Sequence, residues 1–496
     1  MMADMPARRR VVLIRLASLT LAAVAVTACG STPKSTPGPT SPPPAPTPSE
    51  RSDTATGGAT QDGAGDPYYP QDGNGGYDAL DYHVSISYDP PSQKLDGDTV
   101  ISAKATADLT VFNLDLRGYE IASVEVDGKP ATFSRSGEHE LTITPQATVP
   151  NGQTFTTRLR YAGVPERSES GTLGVNGWQL ARSGGAFVAG EPHSATSWYP
   201  SNDTPRDKAT FRLTARVPDG WSVISNGVEE PSTSDGGWTT YNWVEKNRIA
   251  TYLTTVGIDK WTFERSTLPS GIPLVSAYAP GAEDKKSVES RLPEILEFLS
   301  EKFGPYPQTA AGGIWINENI GFSLETQTRP IYAKWAELTV VVHENAHQWF
   351  GDSVSVESWS DICLNECFAS YAQWLWDEAK EHKDLDGQYR TQVARATDKF
   401  WNRKLYDMGP GKEFTAVYDK GQLALHALRR QIGDEAFERV LKGWADKRKD
   451  GNASWPEFET FVQDTAKQDL RAFFDAWFRG DQKPADEFLY PGSLRR

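Results

Sequence analysis

The hydrophobic pattern of this chain changes its period once, near residues 262–270, and no other feature of the sequence limits the fold as strongly. Between about residues 77 and 262, polar residues alternate with apolar or β-branched residues in short runs such as YHVSISYD and HELTITP. Such alternation predicts antiparallel strands with one buried face. After IPLVSAYAP, apolar residues instead recur at helical spacing, as in SVESRLPEILEFLSEKFG. We therefore predict a multidomain chain, in which an antiparallel β-sandwich or saddle precedes a mostly helical α+β domain.

Residues 1–28 have the composition of an export signal. A basic segment ending at Arg15 precedes the apolar run LASLTLAAVAV, which is too short for a permanent membrane span. The next residues, VTAC, place small side chains before Cys29, as in a bacterial lipobox whose cysteine is lipidated and becomes the mature N-terminus. An ordinary cleaved signal peptide is the alternative. We expect an exported protein that is held at the outer face of the cell membrane only by lipid on Cys29.

Composition separates three further regions. Residues 29–65 consist mostly of Pro, Ser, Thr and Gly, which cannot bury enough apolar surface to fold, so they are predicted to form a disordered tether. The rest is long enough for two domains with cores, which we place at 66–264 and 265–496. In the second domain, Ser454 and Glu457 have the spacing of a helix capping box. The net charge of −15 argues against a nucleic-acid partner.

The segment VVHENAHQWFGD contains the candidate metal site. His343 and His347 stand four residues apart, so on a helix both imidazoles point from one face. A catalytic zinc ion takes three protein ligands and leaves a position for water. Eighteen residues separate His347 from Glu366, which lies in the helix-patterned run CLNECFASYAQWLW and supplies a third ligand. We therefore predict one Zn²⁺ per chain, bound by His343, His347 and Glu366.

Glu344 has a different predicted role from the ligands beside it. It lies about 100° around the helix from His343, so it can sit near the metal-bound water without binding the metal. A carboxylate there can take the proton of that water and pass it to a leaving amine, which is the task of a general base in hydrolysis.

A structural zinc site is the competing interpretation. Cys363 and Cys367 flank Glu366, and with the two histidines they could form a closed Cys₂His₂ set. That set leaves Glu344 and Glu366 without a function, and thiols outside the cell tend to be oxidised. We expect the two cysteines to be packing residues rather than ligands. A bridge between them is the less expected alternative, since residues i and i+4 of a helix are near the upper limit for a disulfide.

From about residue 66 to the C-terminus the chain resembles the gluzincin aminopeptidases typified by aminopeptidase N. HENAH with the Glu of LNECFA matches the family's zinc motif, and AVYDKGQLALHALR resembles its Val-Tyr-x-Lys-Gly segment. The stretch TSWYPSNDTPRDKATFRLT resembles the part of the family's β-domain that closes against the active site. The resemblance implies a thermolysin-like catalytic domain and assigns to Tyr418 a place facing the scissile carbonyl. It also implies a short form, without the large helical domain found at the C-terminus of longer members.

Two elements that recognise the amino end of the substrate in this family differ here from the family's usual sequence. The loop normally written Gly-Ala-Met-Glu-Asn is GFSLETQTRPIY here, so Glu325 aligns with its acid while Phe322 and Thr326 replace its Gly and Asn. The Gln-x-Glu element of the β-domain is AGEPHSA, which keeps Glu191 and has Ala189 in place of the Gln. Two carboxylates at a fixed distance from the metal would bind the cationic amino group of a peptide by charge-assisted hydrogen bonds.

These observations predict a zinc aminopeptidase that acts on peptides with a free N-terminus. An endopeptidase or an epoxide hydrolase on the same metal site is the nearest alternative, because the metal chemistry does not select the substrate. An inactive surface-binding protein is a further alternative, although idle relatives usually lose a ligand or the base. The preferred first residue, the natural substrate and the oligomeric state leave no mark on the sequence.

Overall fold

The computed structural model describes residues 63–170 and 173–495. The predicted signal peptide, Cys29 and the tether as far as residue 62 lie outside the described residues. Among the described residues, no helix combines the length and apolar character needed to cross a membrane.

The first half of the described chain is built from strands. Those of the largest sheet alternate buried and more exposed residues, as the period-two pattern predicts. The strands are β1 (Tyr77–Asp89), β2 (Lys94–Ala105), β3 (Phe112–Asp115), β4 (Glu120–Val126), β5 (Lys129–Pro130), β6 (Thr132–Ser136), β7 (Glu140–Thr144), β8 (Thr154–Gly163), β9 (Arg167–Ser170), β10 (Gly174–Leu180), β11 (Ala186–Ala189), β12 (Ala209–Pro218), β13 (Ser222–Ser225), β14 (Val228–Asp235), β15 (Trp238–Ile249) and β16 (Val256–Asp259).

These strands form three sheets. The largest has the order β14-β15-β12-β1-β2-β8-β4-β5, a second has the order β13-β16-β11-β10-β9, and a third has the order β3-β7-β6. Pairing is antiparallel except between β1 and β12, which run parallel. Aromatic side chains fill the interior of this half, for example Tyr82 against Tyr199 and Tyr88 against Trp178.

The second half is mostly helical around a small mixed sheet. Its strands are β17 (Thr262–Thr267), β18 (Pro273–Tyr278), β19 (Ile314–Trp315), β20 (Ile331–Tyr332), β21 (Val354–Val356) and β22 (Gly451–Ala453). The first four form one sheet in chain order, and β21 pairs with β22. The helices are α1 (Lys286–Glu289), α2 (Leu292–Phe303), α3 (Leu338–Ala346), α4 (Cys363–Glu381), α5 (Leu385–Arg395), α6 (Asp398–Trp401), α7 (Lys420–Ile432), α8 (Asp434–Lys447), α9 (Trp455–Ala466), α10 (Arg471–Phe474) and α11 (Asp486–Leu489).

Local sequence explains where helix α9 begins. The predicted capping box is present at the start of α9, where the Ser454 backbone N–H donates to the Glu457 carboxylate at 3.1 Å.

Helix α4 packs against both α3 and α7. Because α3 and α4 carry the predicted metal ligands, this packing brings two distant parts of the sequence to one place.

Buried cations join the β-rich half to the helical half. The Lys208 ammonium group donates to the backbone carbonyls of Asp352 and Ser353 at 2.6 and 3.0 Å. The Arg329 guanidinium group donates to the carbonyls of Ser225 at 2.9 Å and Val275 at 3.0 Å, one on each half. Charged donors on neutral acceptors form strong hydrogen bonds, so these contacts fix the two halves against each other.

Candidate active site

Helix α3 presents the two histidines on one face, as the four-residue spacing predicts. The Nε2 atoms of His343 and His347 are 3.2 Å apart. The Nδ1 atom of His347 lies 3.0 Å from the Phe350 backbone oxygen, which can only accept a hydrogen bond. That contact places a proton on Nδ1 of His347, so Nε2 is the ring nitrogen that can bind a metal ion. Burial also lowers the pKa of His343, so its imidazole is held in the neutral form that metal ions bind.

Glu366 completes a triangle of donor atoms from the first turn of α4. Its Oε2 atom lies 3.1 Å from His343 Nε2 and 3.5 Å from His347 Nε2. Ligands of tetrahedral zinc, each 2.0–2.1 Å from the ion, are separated by about 3.3 Å. The three side chains therefore fit a zinc ion in both the chemistry and the spacing of their donor atoms. Burial works to raise the pKa of Glu366, but His347 and His343 outweigh it and hold the pKa at about 2, so the carboxylate is ionised.

Glu344 lies beside this triangle and is not part of it. One donor atom from each of His343, Glu344 and His347 lies within 4.8 Å of the other two. The side chain of Glu344 is buried, and burial raises its pKa well above the ordinary value, with His347 opposing part of the effect. A carboxylate with a raised pKa is a stronger base than an exposed one, as proton transfer from water requires.

The two cysteines of α4 are joined to each other. Cys363 and Cys367 form a disulfide with their Cα atoms 4.8 Å apart, which corrects the expectation that they are separate packing residues. Both residues lie in the first turns of α4, and their Cα separation is within the range that a disulfide requires. With both sulfur atoms bonded to each other, the Cys₂His₂ alternative has no thiolates with which to bind a metal.

Tyr418 reaches the triangle from the segment that precedes α7. Its hydroxyl donates to Glu366 Oε1 at 3.3 Å, and its ring centre lies 6.0 Å from that of His343. The residue is 39% exposed, so its ring forms part of the cavity wall rather than part of the core. A hydroxyl at this position can donate to an oxygen of a bound ligand.

Glu325 and Glu191 approach the same cavity from the two halves of the chain. Glu325 lies in the loop between β19 and β20, where its backbone oxygen accepts a hydrogen bond from the Gln348 side chain at 3.2 Å. Glu191 follows β11 in the β-rich half. Both are buried, and burial raises the pKa of each carboxyl group. In the described part of the chain, the Oε1 atom of each residue has no hydrogen-bond partner.

These side chains line one cavity of about 310 Å³. Its wall includes Glu191, Glu325, His343, Glu344, Glu366 and Tyr418, together with Leu173, Phe322, Trp335, Val340, Ser370, Gln373 and Gln422. The structure thus brings together at one cavity candidate catalytic and binding residues that the sequence suggested from five separate segments.

Four polar residues at the site were not predicted from the sequence. Three line the cavity and one, Gln348, contacts the loop that carries Glu325. Ser370 and Gln373 follow Glu366 by four and seven residues, so helical spacing placed them on its face of α4. Gln422 stands four residues after Tyr418. Gln348, directly after His347, accepts a hydrogen bond from the Thr328 backbone at 2.8 Å as well as donating to Glu325. No sequence pattern around Gln348 predicted that its side chain contacts the loop that carries Glu325.

Two family profiles match the chain, one on each half. The "Peptidase M1 N-terminal domain" covers residues 78–253 and the "Peptidase family M1 domain" covers residues 312–477. Among named proteins, the chain is 27% identical over 402 residues to "Probable aminopeptidase 1" of Saccharolobus solfataricus, covering 74% of this chain and 49% of that protein. It is 26% identical over 324 residues to aminopeptidase N of Lactococcus lactis, covering 58% of this chain and 37% of that protein. The chain spans half or less of the length of these relatives.

Solved structures match over nearly their whole length. An M1 zinc metallopeptidase from Deinococcus radiodurans has a TM-score of 0.79 and 29% identity, covering 85% of this chain and 98% of that chain. A mutant of that protein has been crystallised with a Tyr-Ser-Ala substrate and has the same TM-score of 0.79, with 27% identity over 85% of this chain and 99% of that chain. The β-rich half followed by a helical catalytic half is the architecture of these structures.

Proposed function

This chain belongs to peptidase family M1, and from that premise we propose that it is a zinc-dependent aminopeptidase, which hydrolyses the first peptide bond of peptides with a free amino terminus. The observation that carries the proposal is the pair of buried carboxylates, Glu191 and Glu325, in the cavity that also contains the His343–Glu366 edge of the donor triangle. Two buried acids at fixed positions suit a substrate whose charged amino end lies beside them, which an endopeptidase substrate does not present there.

The two acids would bind the amino end of the substrate. Each has a buried carboxylate oxygen without a partner in the described chain, and such an atom costs free energy until a donor reaches it. A peptide ammonium group carries three N–H donors and a positive charge, so it satisfies both oxygens at once. Because the carboxylates are fixed relative to the triangle, only the first peptide bond then reaches the catalytic centre.

Hydrolysis would use the residues around the donor triangle. A zinc ion held by His343, His347 and Glu366 would polarise the scissile carbonyl and lower the pKa of a water molecule. Glu344 would take the proton of the attacking water and then deliver it to the departing amine. Tyr418 would donate its hydroxyl proton in a hydrogen bond to the carbonyl oxygen as negative charge develops there.

Two variants test the division between base and ligand. Glu344→Gln should retain zinc and fall by several orders of magnitude in the hydrolysis of an aminoacyl anilide, whereas Glu366→Ala should lose both zinc and activity. Metal content is measured by mass spectrometry on the same samples. If Glu344→Gln hydrolyses the anilide at the wild-type rate, the proposed role of Glu344 is wrong.

Acetylation of the substrate amino group tests the exopeptidase assignment. An acetylated peptide has no cation for Glu191 and Glu325 to bind, so its cleavage at the first bond should disappear. Cleavage of the blocked peptide at an unchanged rate would identify an endopeptidase instead. The same assay excludes an inactive binding protein, since such a protein cleaves neither substrate.

The cellular location is part of the proposal and rests on residues before the described region. The basic segment, the short apolar run and VTAC support export followed by lipidation of Cys29. Radiolabelled fatty acid should enter the wild-type protein expressed in a bacterium, while Cys29→Ser should incorporate none and appear in the medium. Equal membrane retention of both proteins would contradict the lipid anchor.

A further inference from the structure

A second set of metal-ligand side chains lies in the β-rich half, on elements that contribute nothing to the active-site cavity. Asp115 ends β3 and Glu140 begins β7, and the two residues are direct partners in the antiparallel pairing. Directly opposed residues share one side of a sheet, so the two carboxylates face each other. His139 precedes Glu140, and one donor atom from each of these three residues lies within 4.8 Å of the other two.

The position of His139 differs from that of a histidine in an ordinary ion pair. Its Nε2 atom lies 3.9 Å from Asp115 Oδ1 and also 3.9 Å from Asp72 Oδ1. Nearby, His193 makes the usual short contact, with its Nδ1 atom 2.7 Å from Asp72 Oδ2. His139 is thus equidistant from two carboxylates and within hydrogen-bond reach of neither. An ion placed between His139 and the two carboxylates would therefore be close to a donor atom of each of the three residues.

Asn74 supplies an independent sign of a missing partner. The residue is only 3% exposed, and its amide nitrogen donates to Asp115 Oδ1 at 3.2 Å, which brings the amide against the cluster. Among the described residues, the amide oxygen of Asn74 has no hydrogen-bond partner. A buried amide oxygen next to two carboxylates has no favourable interaction there unless a cation or a donor approaches it.

The charges of the cluster also call for a cation. Asp115 is fully buried, and burial, with Glu140, Asp203 and Asp72 adding to it, raises its pKa well above the ordinary value. Like charges directly opposed on neighbouring strands destabilise a sheet. His193 is already paired with Asp72. A proton or a metal ion between Asp115 and Glu140 would reduce the repulsion between the two carboxylates.

We propose that this cluster binds a divalent first-row transition-metal ion, with zinc as the representative, through Asp115, His139, Glu140 and Asp72. An imidazole among carboxylates suits zinc and its neighbours, whereas Ca²⁺ and Mg²⁺ prefer oxygen ligands alone. The separations of 3.9 Å exceed the tetrahedral ligand spacing of about 3.3 Å by an amount that side-chain rotation can close. His139 Nε2 would give up its long contact of 3.3 Å with the Gln71 carbonyl.

An ion at this position would fasten the start of the described chain to the β-rich half. Asp72 belongs to the segment that precedes β1, while the other three ligands belong to the β3–β7 pair. The same segment reaches the helical half, since Asp66 accepts a hydrogen bond from the Trp359 backbone at 2.8 Å. Metal binding would thus stabilise the contact between the two halves without taking part in hydrolysis, and the chain would bind two zinc ions rather than the one expected from its sequence.

Zinc stoichiometry tests the proposal on the full-length chain without a histidine tag. The protein is stripped with a chelator, dialysed against micromolar zinc, and analysed for bound metal. Wild type should hold two equivalents and His139→Gln should hold one. His83→Gln, a matched substitution of another partly buried histidine in the same half, should keep two. Glu140→Gln serves as a second cluster variant in case His139→Gln is poorly folded, and circular dichroism checks every sample.

Two further measurements separate this site from the active site. With His343→Ala and Glu366→Ala combined, one zinc equivalent should remain and zinc should raise the melting temperature; adding His139→Gln should abolish both effects. His139→Gln alone should hydrolyse an aminoacyl anilide within about twofold of wild type. One equivalent in the wild type, or two in both cluster variants, would overturn the proposal and leave a proton as the compensating cation.

Discussion

Replacing Glu245 by glutamine should stabilise the protein, and the gain should be larger at pH 8 than at pH 5. Glu245 lies in β15 and is fully buried, with its carboxylate accepting hydrogen bonds from the Asn247 backbone at 2.7 Å and from the Thr309 hydroxyl at 2.9 Å. Burial raises its pKa from 4.5 to about 7, although Asn247, Thr309 and Arg329 favour the charged form. Glutamine has the shape of the protonated acid and keeps both contacts.

The sign and the size of the effect follow from proton linkage. Because the pKa is higher in the folded protein, the folded state binds more protons between pH 4.5 and pH 7. Its contribution to stability is therefore complete below pH 4.5 and is lost as the pH rises through 7. A displacement of this size corresponds to about 3 kcal/mol in the free energy of unfolding. Relative to wild type, Glu245→Gln should gain about 3 kcal/mol at pH 8 and less than about 1 kcal/mol at pH 5.

Urea unfolding followed by tryptophan fluorescence at pH 5, 6, 7 and 8 measures this difference. Glu301→Gln on the exposed face of α2 is the matched control and should change the free energy of unfolding by less than about 0.5 kcal/mol at each pH. A gain for Glu245→Gln that is the same at pH 5 and pH 8 would show that the carboxyl group does not titrate in this range. A loss at pH 8 would show that the buried carboxylate is stabilising, and the reasoning would be refuted.

Three further substitutions address the site and the junction between the halves. Tyr418→Phe removes a hydroxyl that donates to Glu366, so kcat should fall about 100-fold with little change in KM or zinc content, as steady-state kinetics will show. Glu325→Gln weakens a charge-assisted hydrogen bond, and kcat/KM for free-amino substrates should fall about 30-fold with zinc retained; a change below threefold would exclude amino-end binding by this residue. Arg329→Met leaves three carbonyls without their donor and should cost about 3–5 kcal/mol of stability in urea, whereas Arg329→Lys should cost less.

The sequence was most informative where a single helix determines the geometry. Four-residue spacing on α3 sufficed to place the His343 and His347 imidazoles together. Glu366 joins them only because α4 packs against α3. Period-two alternation likewise located the strands, because burial of one face imposes it.

Features that depend on contacts between distant segments could not be predicted from local sequence patterns. The opposition of Asp115 and Glu140 arises from strand register, which no local pattern encodes when both residues are polar. The Cys363–Cys367 bridge joins residues whose ideal helical separation is near the upper limit for a disulfide, so spacing argued against it. The parallel pairing of β1 with β12 depends on which strand arrives beside which, and alternation is the same for either direction.

Glu191 and Glu325 come from opposite sides of the seam between the two halves. In the proposed aminopeptidase, the two acids that hold the amino end of the substrate therefore belong to different halves of the chain. A change that lets the two halves shift against each other, such as the loss of the Lys208 or Arg329 contacts, would make the position of cleavage less precise before it lowered the rate of cleavage. The position of the cut would then depend on the contacts between the halves as well as on the catalytic residues themselves.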